Sequence, residues 1–349
     1  MKFVRIILSW LYGAVVTVRN ILYDEHLLLS CESDIPTICV GNLAVGGTGK
    51  TPLVAYIAGE LSKRMNVAIL SRGYKRSTCG FVLAEDASTA SDIGDEPAEL
   101  HRKLPGVVLA VCENRVAGIR RLRKMYPELH VVILDDAFQH RRLKCGFNIL
   151  LTTADNLYVN DYFLPYGKLR DSKQSASRAN VIVVSKCKDS MQPIERRIIE
   201  TSLRLPIYQK LFFSYLRYGD LLPLRDWGRP QELSAFDKQH PLILSAIANA
   251  APLHEYLQKM FPETEQIEFA DHHKFTRADI EMIRNKFVNS GCDCIITTEK
   301  DAARIVAMKS FPDDLYDCTY VQPMEIDFRR ESESFMKIIM QYMTESNRK

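Results

Sequence analysis

One stretch of the chain has the residue types and spacing of a phosphate-binding turn: GNLAVGGTGKTP, from Gly41 to Pro52. Its glycines allow backbone angles closed to other residues, so successive N–H groups can converge on phosphate oxygens. Lys50 and Thr51 stand where a helix is expected to begin, and a helix N-terminus favours an anion. In that setting the Lys50 ammonium reaches the β- and γ-phosphates of a nucleoside triphosphate, and the Thr51 hydroxyl ligates Mg²⁺. The expected nucleotide-binding residues are Ala44, Val45, Gly46, Gly47, Thr48, Gly49, Lys50 and Thr51. Ala44 occupies the place of the usual first glycine.

Other polar clusters fall where apolar runs end. His130-Val-Val-Ile-Leu-Asp135-Asp136 is an apolar run closing in two carboxylates, which are costly side by side unless a cation or donors neutralise them. Ser71-Arg72-Gly73-Tyr74, Gly94-Asp95-Glu96-Pro97 and Glu113-Asn114-Arg115 occupy similar places. Together they offer a general base and cations for phosphate charge. Further on, Asp271-His272-His273 suits a carboxylate–imidazole role better than a shared metal, because adjacent side chains on an extended segment point apart. Thr297-Thr298-Glu299-Lys300-Asp301 fits a charged helix cap and a functional strand end equally well. Cys292 and Cys294 have no neighbouring ligands and are expected to pack as apolar side chains.

The elements that must position these residues follow from hydropathy. Continuous apolar runs at 38–40, 67–70, 107–111, 130–134, 147–151 and 180–185 predict parallel strands covered on both faces. They alternate with helical stretches at 52–63 and 114–125. This predicts an α/β fold: a P-loop NTPase-like, doubly wound parallel sheet over residues 25–207. Residues 208–230 read as connecting strands, and 231–349 as a smaller α/β domain.

Residues 1–24 differ in texture. Arg5 and Arg19 bracket an uncharged, mostly apolar segment that is shorter than the roughly 20 residues of a spanning helix. Trp10, Tyr12 and Tyr23 suit a membrane–water interface, so a membrane-surface helix is expected rather than one packed on the protein's own core. With 46 Lys and Arg against 43 Asp and Glu, bulk charge does not suggest a nucleic-acid partner. No obligate protein partner is inferred.

Taken in order, GNLAVGGTGKTP, SRGY, GDEP, ENR, DDAFQH, PYGKLRD, DHH and TTEKD resemble the motif set of the tetraacyldisaccharide 4'-kinases, the lipid A kinases of Gram-negative bacteria. Ala137 replaces that family's glycine in DDGFQ. The resemblance implies ATP and Mg²⁺ as cofactors, and as substrate a lipid-linked glucosamine disaccharide 1-phosphate taken at its 4'-hydroxyl. It also implies attachment, peripheral or monotopic, to the cytoplasmic face of the inner membrane. By the same resemblance Asp95 is the base, tuned by His272, and Lys50 and Thr51 hold triphosphate and metal. Glu96 and Asp136 are metal-side carboxylates, and Arg72, Tyr74, Arg115, Gln139, His140 and Arg170 contact substrate or phosphate. The rival reading is a nucleotide-gated switch or metallochaperone with the same loop. A GTP-reading version is opposed by Ser185-Lys186-Cys187-Lys188, which has Lys188 where a guanine-reading aspartate belongs.

Overall fold

The computed structural model describes residues 2–226, 230–236, 239–247, 249–271, 273–308 and 310–346. The first part of the chain runs α1 (Lys2–Asp24), β1 (Thr37–Asn42), α2 (Lys50–Ser62), β2 (Val67–Ser71), β3 (Val82–Leu83), α3 (Ala90–Ile93) and α4 (Asp95–Lys103). It continues with β4 (Val108–Val111), α5 (Arg115–Met125), β5 (Val131–Asp135), β6 (Phe147–Thr153), β7 (Val181–Cys187), α6 (Pro193–Leu203) and β8 (Lys210–Tyr218). Next come β9 (Leu222–Pro223), β10 (Pro241–Ser245), α7 (Ala251–Met260), β11 (Glu265–Glu268), α8 (Arg277–Asn289) and β12 (Cys294–Thr298). The chain closes with α9 (Glu299–Val306), α10 (Asp313–Asp317), β13 (Thr319–Gln322), β14 (Met324–Asp327) and α11 (Ser332–Ser346).

The larger sheet has the order β14-β8-β7-β6-β1-β5-β2-β4-β3, parallel from β8 to β4 and antiparallel at its two edges. Side chains alternate between two buried faces. Ile38, Val40, Ile69, Ile133 and Val183 enter one core, while Cys39, Leu70, Leu134, Ile182 and Val184 enter the other. That two-sided burial is why these strands read as unbroken apolar runs. A second sheet, order β11-β10-β12-β13-β9, builds the smaller unit, with Cys292 and Cys294 buried in its cores.

Two expectations about organisation need correcting. Lys210–Tyr218, read as connection, is a strand of the larger sheet, and β14 pairs with it there. Nor does the smaller unit run to the C-terminus. Phe328, Phe335, Ile339 and Met343 pack in the same core as α2, with Phe328 stacked on Phe335 at 4.2 Å between ring centroids. The tertiary contacts of this amphipathic helix, rather than its place in the chain, decide its unit. Trp227 and Gly228, part of the expected connection, lie outside the described residues.

Helix α1 inverts the usual amphipathic arrangement. Its buried positions include Ser9, Gly13 and Asn20, whereas Phe3, Trp10 and Leu11 are 74%, 79% and 63% exposed. The inward face is held by polar bonds: Ser9 Oγ to Phe163 O at 2.7 Å, Asn20 Nδ2 to Asp171 Oδ1 at 2.7 Å, and Arg19 to Gln139 O at 2.8 Å. Gly13 is required, since a Cβ there would lie 2.6 Å from the Phe163 ring. The helix therefore does pack on the protein, by a narrow side of Ser9, Gly13, Val16, Asn20 and Tyr23. Its apolar side faces outward as a contiguous stripe of the kind that marks an interaction surface.

The two units meet where α4 faces α9. Lys103 Nζ pairs with Glu299 Oε1 at 2.8 Å, and Arg304 pairs with Asp95 Oδ2 at 2.7 Å. Glu99 sits among these charges, and burial, then the Glu299 charge, pushes its carboxyl from 4.5 up to about 8. A carboxyl raised in this way binds more protons folded than unfolded between about pH 4.5 and 8, so its contribution to stability falls as pH rises through that window. Glu99→Gln, neutral at every pH, should match the parent's melting temperature near pH 5 and exceed it near pH 8.5. Thermal unfolding at the two pH values checks this.

Candidate active site

The phosphate loop joins β1 to α2. Gly49, the residue before the helix, sits at φ 82°, and Gly46 at φ 116°, in the left-handed region that side chains disfavour. Ala44 has no such angle. It is extended, bridged antiparallel to Leu169, and its Cβ is accommodated. The segment of the PYGKLRD motif backs the loop: Val45 N donates to Lys168 O at 2.8 Å, and Arg170 N donates to Leu43 O at 2.8 Å. Asn42 Nδ2 donates to Thr48 Oγ1 at 2.8 Å, fixing the loop from beneath. Thr51 and Thr48 are buried at the helix start, and Val45, Gly46 and Gly47 are exposed.

Beside the loop, β5 delivers the two aspartates in different states. Asp136 turns out of the strand at φ 49° and pairs with Lys50 Nζ at 3.8 Å and with both Arg170 terminal nitrogens. Burial works to raise its carboxyl, but Lys50 and Arg170 outweigh that and leave it below the ordinary range. Asp135 is buried, accepts Ser71 Oγ at 3.0 Å on Oδ2, and has no partner on Oδ1. Burial first, then the charges of Glu96 and Asp136, push it up to about 7. Asp135 was the overlooked member of the pair. Its signal was visible, because two adjacent carboxylates after an apolar strand had to divide their roles.

Three substrate assignments change character. Arg115 is only 2% exposed and spends its guanidinium on the carbonyls of Cys112, Glu113, Asp135 and Asp136. It props the carboxylate turn from behind rather than facing a substrate. Arg170 is committed to Asp136 and to Asn42 Oδ1 at 2.5 Å, and so acts through Asp136. Gln139 donates to Asn42 O at 2.8 Å, tying the DDAFQH turn to the loop's first residues. Such roles come from distant segments meeting and leave no local mark in the sequence. Arg72 and Tyr74 are exposed beyond β2. His140 is half-buried with Nε2 unpartnered, and burial, then Arg115, Arg142, Arg19 and Arg72, hold its pKa down to about 4. The imidazole is neutral at neutral pH, in a field of arginines.

Asp95 and Glu96 open α4 at the same edge of the sheet. The preceding Gly94, at φ 96°, has no room for a Cβ, which would lie 2.9 Å from Tyr74 O. Arg304 grips Asp95 Oδ2 by Nε at 3.2 Å and Nη2 at 2.7 Å, and uses Nη1 on Asp301 Oδ1 at 2.8 Å. The TTEKD segment is thus a cap, Thr298 Oγ1 accepting Asp301 N, and its Asp301 holds Arg304, the smaller unit's contact with Asp95. His272 lies outside the described residues. Its neighbour His273 is spent structurally, bonded to Asp279 at 2.9 Å and stacked on Phe269.

The site also tests for a divalent cation. Among the described residues no three His, Cys, Asp or Glu side chains converge as a complete metal cage. The orphaned Asp135 Oδ1, within reach of the Glu96 charge, fits Mg²⁺, which takes few protein ligands and completes its shell with phosphate oxygens and water.

A glycine loop at the mouth of a parallel sheet, a lysine at the helix start and carboxylates at the adjacent strand end define a P-loop phosphotransferase. The particular family follows from kinship: residues 1–344 match the model of the tetraacyldisaccharide-1-P 4'-kinases, and the chain belongs to that family of kinases. Tetraacyldisaccharide 4'-kinase of Bacteroides thetaiotaomicron is 42% identical over 97% of this chain and 93% of its own length. That of Parabacteroides distasonis is 43% identical over 96% and 93%. Among solved structures, LpxK from Aquifex aeolicus in complex with ATP superposes with a TM-score of 0.75 at 26% identity, covering 97% of this chain and 98% of that one. The switch or metallochaperone reading is not favoured.

Proposed function

We propose that the chain transfers the γ-phosphate of ATP to the 4'-hydroxyl of an acylated glucosamine disaccharide 1-phosphate at the cytoplasmic face of the inner membrane, in lipid A biosynthesis. The observation that carries this reading is the placement of α1. The helix with the outward apolar stripe is bonded to the segments that hold the site, Tyr12 Oη to Arg170 O at 3.1 Å and Arg19 to Gln139 O. A lipid anchored by its acyl chains thereby meets the phosphate loop without leaving the bilayer surface.

In this mechanism the loop amides, Lys50 and the α2 N-terminus hold the triphosphate, and Asp136 sets the height of the Lys50 ammonium. Thr51, Asp135 and Glu96 would hold Mg²⁺, with Asp136 kept by Arg170 and Lys50 just behind them. When bound, Mg²⁺ supplies positive charge to the β- and γ-phosphate oxygens. Asp95 takes the proton of the 4'-hydroxyl as the hydroxyl oxygen attacks the γ-phosphorus and the bond from that phosphorus to the β,γ-bridging oxygen breaks, releasing ADP, with His272 proposed as the tuning partner of Asp95. Arg72, Tyr74 and His140 receive the acceptor's own phosphate and sugar. Most of the rate comes from positioning and charge stabilisation, because phosphoryl transfer asks for little covalent chemistry.

The test uses γ-labelled ATP and the acylated disaccharide 1-phosphate, presented either in anionic vesicles or in detergent. The parent should put label on the 4' position in both. Phe3→Glu with Trp10→Glu, changing only exposed side chains, should lose most vesicle binding and transfer yet keep detergent activity. Release of free phosphate independent of acceptor would favour a switch. Unchanged vesicle partitioning of the double variant would remove the anchor.

A further inference from the structure

A bilayer that gripped α1 alone would leave the molecule free to roll about the helix axis. A second contact beside the helix removes that freedom, and the turn at 162–166 is built where one is needed. It lies along the N-terminal half of α1. Ser9 Oγ donates to Phe163 O at 2.7 Å, Arg5 Nη2 donates to Pro165 O at 2.8 Å, and Tyr12 meets the Phe163 ring edge-on. Phe163 is thereby held under the helix, against Gly13.

The tyrosines on either side of it are left outside. Tyr162 and Tyr166 are 60% and 38% exposed and meet edge to face, with ring centroids 5.3 Å apart. The turn that presents them is tied down: buried Asp161 accepts from Tyr162 N at 2.7 Å and from Lys168 N at 3.2 Å, and Leu169 N donates to Tyr162 O at 2.8 Å. Two large rings held exposed on a fixed turn suit a membrane–water interface, because tyrosine has an apolar body and a polar tip. The charge around them has one sign. Arg5, Lys168 and Lys173 are exposed, and the Lys173 ammonium lies 5.7 Å from the Tyr162 ring centroid. The carboxylates of the same segment, Asp161 and Asp171, are buried. Such a positive rim attracts anionic headgroups.

We infer that the 162–166 turn is a second contact with an anionic bilayer surface, its two tyrosines seated among the headgroups beside the apolar stripe of α1. This rests on the membrane-surface reading of α1 above. The same segment supplies Lys168 O to Val45 N and carries Arg170, which is bonded to Asp136. Two contacts that are not in line therefore fix the height and tilt of the phosphate loop above the lipid.

The experiment reads tryptophan quenching by vesicles of phosphatidylglycerol and phosphatidylcholine brominated near the headgroup end of the chains, with the full-length protein. In a background of Trp10→Phe and Trp227→Phe, a single reporter is placed by Tyr162→Trp, Tyr166→Trp or, on exposed α8 of the smaller unit, Val288→Trp. The reporters at 162 and 166 should be quenched and the one at 288 should not. Tyr162→Ser with Tyr166→Ser should weaken vesicle partitioning about tenfold at an unchanged melting temperature. Lys173→Gln should weaken it about fivefold on these anionic vesicles and leave binding to pure phosphatidylcholine unchanged. Unquenched reporters at both 162 and 166, in a protein whose Trp10 is quenched when only Trp227→Phe is made, would overturn the inference; the two positions cover the case in which one substitution disturbs the fold. Failure of the α1 reading looks different, since Trp10 itself would then stay unquenched.

Discussion

Lys50→Ala should lower kcat by about 10²–10³, the cost of removing one preorganised donor from a developing oxyanion. In free energy this is roughly 3–4 kcal/mol of transition-state stabilisation. Lys50 is half-buried and faces Asp136 at 3.8 Å, longer than a hydrogen bond, so its ammonium is held in place without being consumed. Removing it leaves Asp136 paired with Arg170, so the fold should survive. Steady-state transfer of labelled phosphate, with melting temperature as the control, checks the result. Turnover within threefold of the parent would separate this lysine from the chemistry.

Asp95→Ala should lower kcat by about 10²–10⁴, the usual worth of a positioned general base, while ATP binding stays near that of the parent. The structure argues that the loss will be chemical rather than structural. Without Asp95, Arg304 still donates to Asp301 Oδ1 and to Ala246 O, so the contact surface of the smaller unit is not left with an unpaired buried charge. The split between kcat and ATP affinity is the readout. Near-normal turnover would dismiss Asp95 as the base, and a matched loss of nucleotide binding would recast it as part of the triphosphate site.

Some of this was legible in the chain. The strand runs of the larger sheet were readable because parallel strands buried on both faces need apolar residues at every position. The loop was readable because its chemistry is local: three glycines, a lysine and a threonine act on one ligand through neighbouring backbone. The apolar character of residues 2–24 was equally plain. Which side of that helix would face out was not, because burial by Ser9, Gly13 and Asn20 depends on Phe163 and Asp171, about 150 residues away.

Composition and local spacing determined the fold class, the phosphate loop and the pool of charged residues from which a site could be made. Tertiary structure alone sorted that pool. It made Arg115 and Arg170 props, and it divided Asp135 from Asp136 by which one met Lys50. It set Arg304 from the smaller unit against Asp95, and it carried the C-terminal helix back onto the larger sheet. The reason is physical: a charge's role is set by burial and by its nearest partners, and here those partners are brought together by sheet order rather than by sequence neighbourhood.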